Sequence, residues 1–338
     1  MPSGTARCAG SHSVSARLRG ESFGASWFAR PWHNPRPVHL LYQGSALTDS
    51  ASLRQFIAEA DSRPRFNRVL MVDPTHFQVL HVLNPHMEGN LGSVDADRAH
   101  DEWSAIRDTY ESLGFPVTVV HGIDEFPDLV FVANQILPYV GADGSPALVL
   151  SHMAKPERQG EVPYLTKSLG DLGMHSHPLR TILPLEGTGD AIWHPGKNLI
   201  WGGHGFRTSE EAWDEVAELT GARVVPLTLV EPRMYHLDVA LMPIDERTAF
   251  SYRGAFDNES WTRLEAGFER LIEVDAEEAL HGFALNGHCP DGKNLLLPAG
   301  NPHTRAEAEL LGLTVHELST SEFQKAGGSI FCLKNVLP

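Results

Sequence analysis

From Arg68 onward, apolar and polar positions alternate between two periods. Stretches with apolar residues every three or four positions give way to short apolar runs. The first reads as helix and the second as strand. Asp97–Leu113 places Trp103, Ile106, Tyr110 and Leu113 on one face, and Gly114 then leads into Val117–Val120. Glu161–Leu172 ends at Gly173 and enters Met174–Leu179. Ser209–Leu219 carries Trp213, Val216 and Leu219, ends at Gly221 and enters Val224–Leu227. Asn258–Arg270 runs directly into Leu271–Val274, and His303–Leu311 ends at Gly312 before Leu313–Val315. A glycine after the last periodic residue is the usual helix stop. Further strands are predicted at Leu129–Val132, Ala147–Ser151, Leu199–Trp201, Leu237–Met242, Thr248–Tyr252 and Leu295–Leu297. Five helix-to-strand modules recur at a spacing of roughly 50 residues, a period that marks repeat architectures. Short strands in five α/β units predict a closed ring, not an open doubly wound sheet.

Residues 1–64 have a different composition. Arg7, Arg17, Arg19, Arg30 and Arg36 recur among Ser, Ala and Gly, and Glu21 is the only acid before Asp49. Transit peptides are Arg-rich, Ser-rich and acid-poor, but the preferred reading is a disordered extension, or a start assigned too far upstream, that catalysis does not need. Asp49–Ala60 holds one short helix. Residues 66–338 are then the single catalytic domain.

Hydrophobic residues make up 42% of the 338 and charged ones 21%, enough for a packed core. No apolar run is long enough to span a membrane. The net charge of −16 disfavours nucleic acid and acidic membranes and suits a small cation. Cys8, Cys289 and Cys332 make no disulfide framework and no C-x-x-C pattern, which fits a reducing cytoplasm. The 18 His form no H-E-x-x-H pair, so neither a metal nor another cofactor is expected. No G-x-G-x-x-G or P-loop follows a strand either.

The chemically loaded residues fall between the modules. Cys332 follows the pair Gly327-Gly328 on a short apolar run read as a strand. Asn134 ends the run Asp128–Ala133, Glu186 and Asp190 stand in Leu185-Glu186-Gly187-Thr188-Gly189-Asp190, and His236 and Asp238 alternate. On a strand, His236 and Asp238 would share a face. Several acids near a His and a thiol imply a cationic partner, and a planar guanidinium matches carboxylates two bonds at a time. Each piece alone has a plainer reading: a free Cys is usually buried core, and Asn after a strand is a common turn residue. Their joint order does not.

That order resembles the guanidino-group modifying enzymes of the pentein fold, and among them the bacterial arginine dihydrolases. The matching stretches are Asn84-Pro85-His86-Met87-Glu88-Gly89-Asn90, Asp128–Asn134, Glu157–Glu161, Glu186–Asp190, Gly205-Phe206-Arg207, Tyr235–Asp238, Ala255-Phe256-Asp257 and Lys325–Leu333. His86, Val132 and Gln135 depart from the dihydrolase pattern beside pocket positions. The resemblance implies a five-fold pseudo-symmetric α/β propeller of ββαβ-type repeats. It implies Cys332 as nucleophile, His236 as general acid and base, and Glu186 and Asp238 as holders of the guanidinium. Arg158 and Arg207 would take a substrate carboxylate, while Asn84, Asn134 and Asp190 complete the binding set. Arginine would be converted to ornithine, two ammonia and carbon dioxide through a thiouronium on Cys332. A deiminase or dimethylargininase that stops at citrulline, an amidinotransferase, and a non-catalytic binding protein are the alternatives. A homo-oligomer is compatible with all of them.

Overall fold

The computed structural model describes residues 40–170 and 172–338. Among these described residues, fourteen strands build five small sheets of mixed α/β architecture. The first joins β1 (Arg68–Val72), β2 (Val117–Val120) and β14 (Asn335–Leu337). The second joins β3 (Ile136–Val140), β4 (Pro146–Leu150) and β5 (His175–Pro178), and the third β6 (Ala191–Trp193), β7 (Leu199–His204) and β8 (Arg223–Thr228). The fourth joins β9 (Leu241–Pro243), β10 (Thr248–Ser251) and β11 (Arg270–Glu273), and the fifth β12 (Asn294–Pro298) and β13 (Thr314–Leu318).

One pattern governs all five. A central strand pairs in parallel with the strand that follows a helix: Val69 opposite Val117, Ala147 opposite His175, Ile200 opposite Val224, Ala249 opposite Leu271, and Leu295 opposite Val315. In four sheets an antiparallel strand flanks its other side. In the fifth, an antiparallel bridge from His288 to Leu296 takes that place. The five crossover helices are Ala96–Ser112, Glu161–Gly170, Ala212–Thr220, Asn258–Gly267 and Pro302–Leu310. They coincide with the five periodic stretches of the sequence. Gly221 stops its helix in the left-handed region (φ 66°), its N–H bonded to Ala217 O.

The first sheet is completed by the C-terminal strand, with Leu70 opposite Asn335. Asn335 Nδ2 also donates to Val132 O and Ile136 O, tying this sheet to the entry of the second. Glu102, on the first crossover helix, accepts from Ser319 Oγ, Ser321 N and Oγ, and Glu322 N. That helix therefore caps the short turn before the cysteine loop.

Three strand assignments fail. Leu129–Val132 is not extended: Pro127–Val130 is a 3₁₀ turn opened by proline, with every residue from Asp128 to Ala133 buried. An apolar run so short cannot be told from a buried turn by periodicity. Leu237–Met242 divides into a 3₁₀ turn, Leu237–Val239, and β9. Cys332 lies in a turn, and extended structure resumes only at Asn335.

The domain boundary near residue 65 is also too late. The helix Ser50–Ala58 is capped by Asp49, and Leu53 and Ile57 belong to the main apolar core. Tyr42 N donates to Val224 O and Val224 N donates to Leu40 O, joining this segment to β8, and Ala46 N donates to Glu259. Leu53 and Ile57 lie four residues apart, on one helical face. The basic composition that suggested an extension belongs to residues 1–39, which lie outside the described residues. Among the described residues, no helix is long and apolar enough to cross a membrane.

Candidate active site

Cys332 closes a tight loop. Gly327 has φ 87°, and a Cβ there would meet Asn84 Oδ1 at 2.8 Å. At Gly328 a Cβ would meet the Phe131 ring at 2.5 Å. Both positions therefore require glycine, one for its conformation and one for the close approach. Asn286 pins the loop with its whole side chain. Its Oδ1 accepts from Ser329 N (2.8 Å) and Cys332 N (3.3 Å), and its Nδ2 donates to Asp238 O (2.9 Å) and Cys332 Sγ (3.2 Å).

The thiol donates to Asp238 Oδ2 at 3.0 Å. Burial pushes the Cys332 thiol well up, and the Asp238 carboxylate pushes it further. Burial likewise raises Asp238 to about 7, against the lowering effect of the thiol hydrogen bond and of Lys334. Asp238 Oδ1 is buried and has no hydrogen-bond partner among the described residues. The site thus holds a protonated thiol beside a carboxylate with unused acceptor capacity. A donor-rich cation satisfies that arrangement.

His236 sits in extended backbone before the 3₁₀ turn, so it does not share a strand face with Asp238. Its Nε2 donates to Glu186 Oε2 at 2.7 Å, and its Nδ1 accepts from Asn134 Nδ2 at 3.5 Å. A carboxylate can only accept and an amide NH₂ can only donate. The neutral Nε2–H tautomer satisfies both and leaves the Nδ1 lone pair towards Asn134.

Glu186 is completely buried and already engaged. Its oxygens accept from His236, Ala154 N (3.0 Å) and Arg207 Nη1 (3.2 Å). Burial alone would raise its pKa, but the His236 hydrogen bond and the Arg207 and Arg158 charges hold it well below the usual carboxylate range. Both its oxygens are thus engaged, whereas Asp238, the other acid expected to hold a guanidinium, keeps Oδ1 free among the described residues. Asp190 lies outside the pocket. Its Oδ1 accepts from Leu237 N (3.0 Å) and its Oδ2 from Thr208 (2.7 Å), fixing the loop that carries His236.

The pocket is lined by Leu83, Asn84, Met87, Asp128, Phe131, Asn134, Arg158, Arg207, Tyr235, Ala326, Gly328 and Cys332. Asn84, Asn134, Arg158, Arg207 and Cys332 of the expected residues are thus brought to one cavity. Both arginines are largely committed. Arg158 Nε and Nη2 bond Glu161 at 2.9–3.1 Å, Nη2 also donates to Asp128 O (3.1 Å), and Nη1 donates to Asn134 Oδ1 (2.9 Å). Arg207 bonds Glu186 and Leu83 O, and its guanidinium faces the Tyr235 ring at 4.8 Å. Asn84 Nδ2 donates to Ala326 O (2.9 Å), holding the chain ahead of the glycine pair.

Sequence reasoning passed over Asp128, Asn286 and Lys334. Asp128 Oδ1 is buried on the pocket wall with no partner among the described residues, and burial raises its pKa. Its place in the Asp128–Asn134 stretch was the available signal. Asn286 and Lys334 carry no local signal. Outside the pocket, Asp275, Glu278 and His303 bring three potential metal-ligand atoms within 4.8 Å. Asp275 caps Glu277 N and Glu278 N, and Glu278 caps His303 N and Thr304 N, which accounts for the grouping.

Cys332 and Asp128 on the cavity wall, with Asp238 bonded to the thiol and the Glu186-bonded His236 beside Asn134, fit a hydrolase acting on the C–N bonds of guanidino groups. The comparisons agree. Residues 87–333 match the family model for N,N dimethylarginine dimethylhydrolase, eukaryotic, and the chain belongs to that pentein family. It is 33% identical to N(G),N(G)-dimethylarginine dimethylaminohydrolase of Mycobacterium tuberculosis over 85% of this chain and 91% of that one. It is also 33% identical to the bifunctional arginine dihydrolase/ornithine cyclodeaminase ArgZ of Synechocystis over 79% of this chain, spanning 37% of that protein. The substrate-bound N-terminal domain of ArgZ, described as an arginine dihydrolase from the ornithine-ammonia cycle in cyanobacteria, superposes with a TM-score of 0.75. That match has 31% identity and covers 80% of this chain and 97% of the other. Another structure of that domain is covalently bound to a reaction intermediate.

Proposed function

We propose that the protein is an arginine dihydrolase, converting arginine and two waters to ornithine, two ammonia and carbon dioxide. The observation that carries this reading is the neutral amide of Asn134 at the heart of the site, its carbonyl taken by Arg158 and its N–H₂ directed at His236. An amide can accept from a guanidinium nitrogen or donate to a ureido oxygen. It therefore suits both the cationic substrate and a neutral first product.

The guanidinium donates to Asp238, and its charge stabilises the thiolate that Cys332 becomes on passing its proton towards His236. Sulfur bonds the guanidinium carbon, and ammonia leaves with a proton from His236, giving a thiouronium. Nδ1 of His236 then takes a proton from water. The hydroxide adds to the carbon, the C–S bond breaks, and citrulline forms. A second attack by sulfur on the ureido carbon expels the second ammonia and leaves an S-carbamoyl enzyme. Water releases a carbamate, which breaks down to ornithine and carbon dioxide. The balance requires no redox partner, metal or organic cofactor. Asp128 is assigned to a substrate ammonium, because its free oxygen is a buried acceptor on the wall. Arg158 and Arg207 present their remaining N–H groups to the carboxylate. We read the five sheets as blades of one closed propeller around this site, which an experimental structure with an open sheet would refute.

The dimethylarginine reading rests on the family model and the mycobacterial relative. Mass spectrometry of the products decides. Arginine giving ornithine with two ammonia supports the dihydrolase. Arginine giving citrulline that accumulates sinks it in favour of a deiminase, and dimethylamine from dimethylarginine favours the family model's activity. Cys332→Ser and Cys332→Ala should abolish turnover with the fold intact, and residual activity in either removes Cys332 from its role.

A further inference from the structure

Lys334 follows the nucleophile by two residues and is 2% exposed. Among the described residues its ammonium makes no hydrogen bond or ion pair. It rests instead on the face of the Phe331 ring, with Nζ 3.2 Å from the centroid. Lys334 is not a pocket-lining residue. A buried ammonium without hydrogen-bonded partners is costly and persists only where nearby anions compensate. Two such groups act on it, Asp238 and the Cys332 sulfur, while His288 faces it from the start of the fifth sheet.

The attacking state places two negative charges side by side, the Asp238 carboxylate and the Cys332 thiolate, since they are 3.0 Å apart. Like charges at that distance suppress ionisation of one partner. The substrate guanidinium offsets this only while it is bound and cationic. During the second half of the reaction the bound ureido group is neutral, and the thiolate must form again without that help.

We propose that Lys334 is a positioning residue whose buried ammonium, cradled on Phe331, stabilises the Cys332 thiolate beside Asp238 from outside the substrate pocket. The proposal rests on Cys332 being the nucleophile. Burial lowers Lys334 to about 7, with Asp238 and the sulfur pulling it back up. Its charge therefore titrates in the range where the enzyme would work. His288 on the opposite side stays neutral, because burial and Lys334 both lower it. Cys332 and Asp238 are consequently the groups with which Lys334 can exchange charge stabilisation.

The test is the pH dependence of Cys332 alkylation by iodoacetamide, with the modified residue located by mass spectrometry. It compares wild type, Lys334→Met and Lys334→Arg. The methionine variant should move the midpoint for thiolate reactivity up by about one pH unit, roughly tenfold slower labelling at fixed pH. Lys334→Arg, which keeps the charge, should restore the midpoint at least in part. With arginine as substrate, kcat should fall about tenfold in Lys334→Met and KM change little. A midpoint unchanged in a folded Lys334→Met protein overturns the proposal. Should that variant fail to fold, Lys334→Gln replaces it, and failure of both uncharged variants to fold makes Lys334 structural and also overturns it. Alkylation needs no substrate, so it still answers the question if arginine proves not to be turned over.

Discussion

Arg158 Nη1 donates to Asn134 Oδ1 at 2.9 Å, and that single bond fixes which way round the amide of Asn134 stands. With its oxygen held, the N–H₂ group can only face His236. Arg158 is in turn clamped by Glu161, itself bonded to Gln135 at 2.6 Å. Lysine cannot form this fork. Arg158→Lys should therefore lower kcat by about a hundredfold with the Asn134 amide free to rotate, a loss of about 2.7 kcal/mol of transition-state stabilisation. Steady-state kinetics checks it, and a change confined to KM would mean that Arg158 acts on the substrate carboxylate alone.

Asn134→Asp tests the amide itself. A carboxylate there would keep the Arg158 bond but replace the N–H donors facing His236. Losing a hydrogen bond to a buried polar group costs about 1–3 kcal/mol, roughly ten- to hundredfold in rate. The second hydrolysis should suffer more than the first, because a ureido group needs a donor. A time course of arginine, citrulline and ornithine should show citrulline accumulating in the variant. Equal ornithine production by both proteins would remove Asn134 from this role.

Asp238 gives a pH signature. Burial first, against the thiol bond and Lys334, raises its folded value to about 7, above an unfolded value of about 3.9. The folded protein therefore binds more protons than the unfolded chain between those values, and the group's contribution to stability falls as pH rises through that window. Asp238→Asn cannot lose a proton. The difference in Tm, variant minus wild type, should thus grow from pH 4 to pH 7 and level off above it. Thermal unfolding by circular dichroism at several pH values measures this. A difference that is flat or shrinks across the window contradicts the buried, raised carboxyl.

Residues 40–64 are predicted to be needed for folding. Leu53→Ala removes a completely buried side chain and should cost about 2–5 kcal/mol. A chain starting at residue 65 loses the whole helix Ser50–Ala58, which packs against the helix Asn258–Gly267. It should be insoluble or unfold well below the full-length protein. A soluble, fully stable chain from residue 65 would show that this segment only decorates the domain.

What the sequence made legible was local. The five crossover helices could be read because each carries its own apolar stripe, and four carry a glycine stop. The same logic misled at Leu129–Val132 and around Cys332, where apolar residues are buried by tertiary contacts while the backbone turns. The candidate residues were found by type and order, but not their partnerships. Glu186 bonds His236, Asp190 accepts from the neighbouring Leu237 N, and the two arginines are bound within carboxylate networks. Asn286 bonds the sulfur of Cys332 and Lys334, two residues beyond, rests on Phe331, neither belonging to any periodic or spaced pattern. The stretch 40–64 was lost because its core residues, Tyr42, Ala46, Leu53, Ile57 and Ala60, are widely spaced and follow a long basic segment.

Cys332, the proposed nucleophile, also comes late in the order of synthesis. Asp238, Asn286, Phe131 and Ala133, whose N–H donates to the Cys332 carbonyl, all precede it in the chain. So does β1, the partner of the strand that follows the cysteine. On the ribosome, four modules and the fifth pair of strands emerge before the thiol does. Under the proposed mechanism, a nascent chain can thus fold most of its core before it can attack an amidine, and pairing of β14 with β1 fixes the segment that follows the thiol.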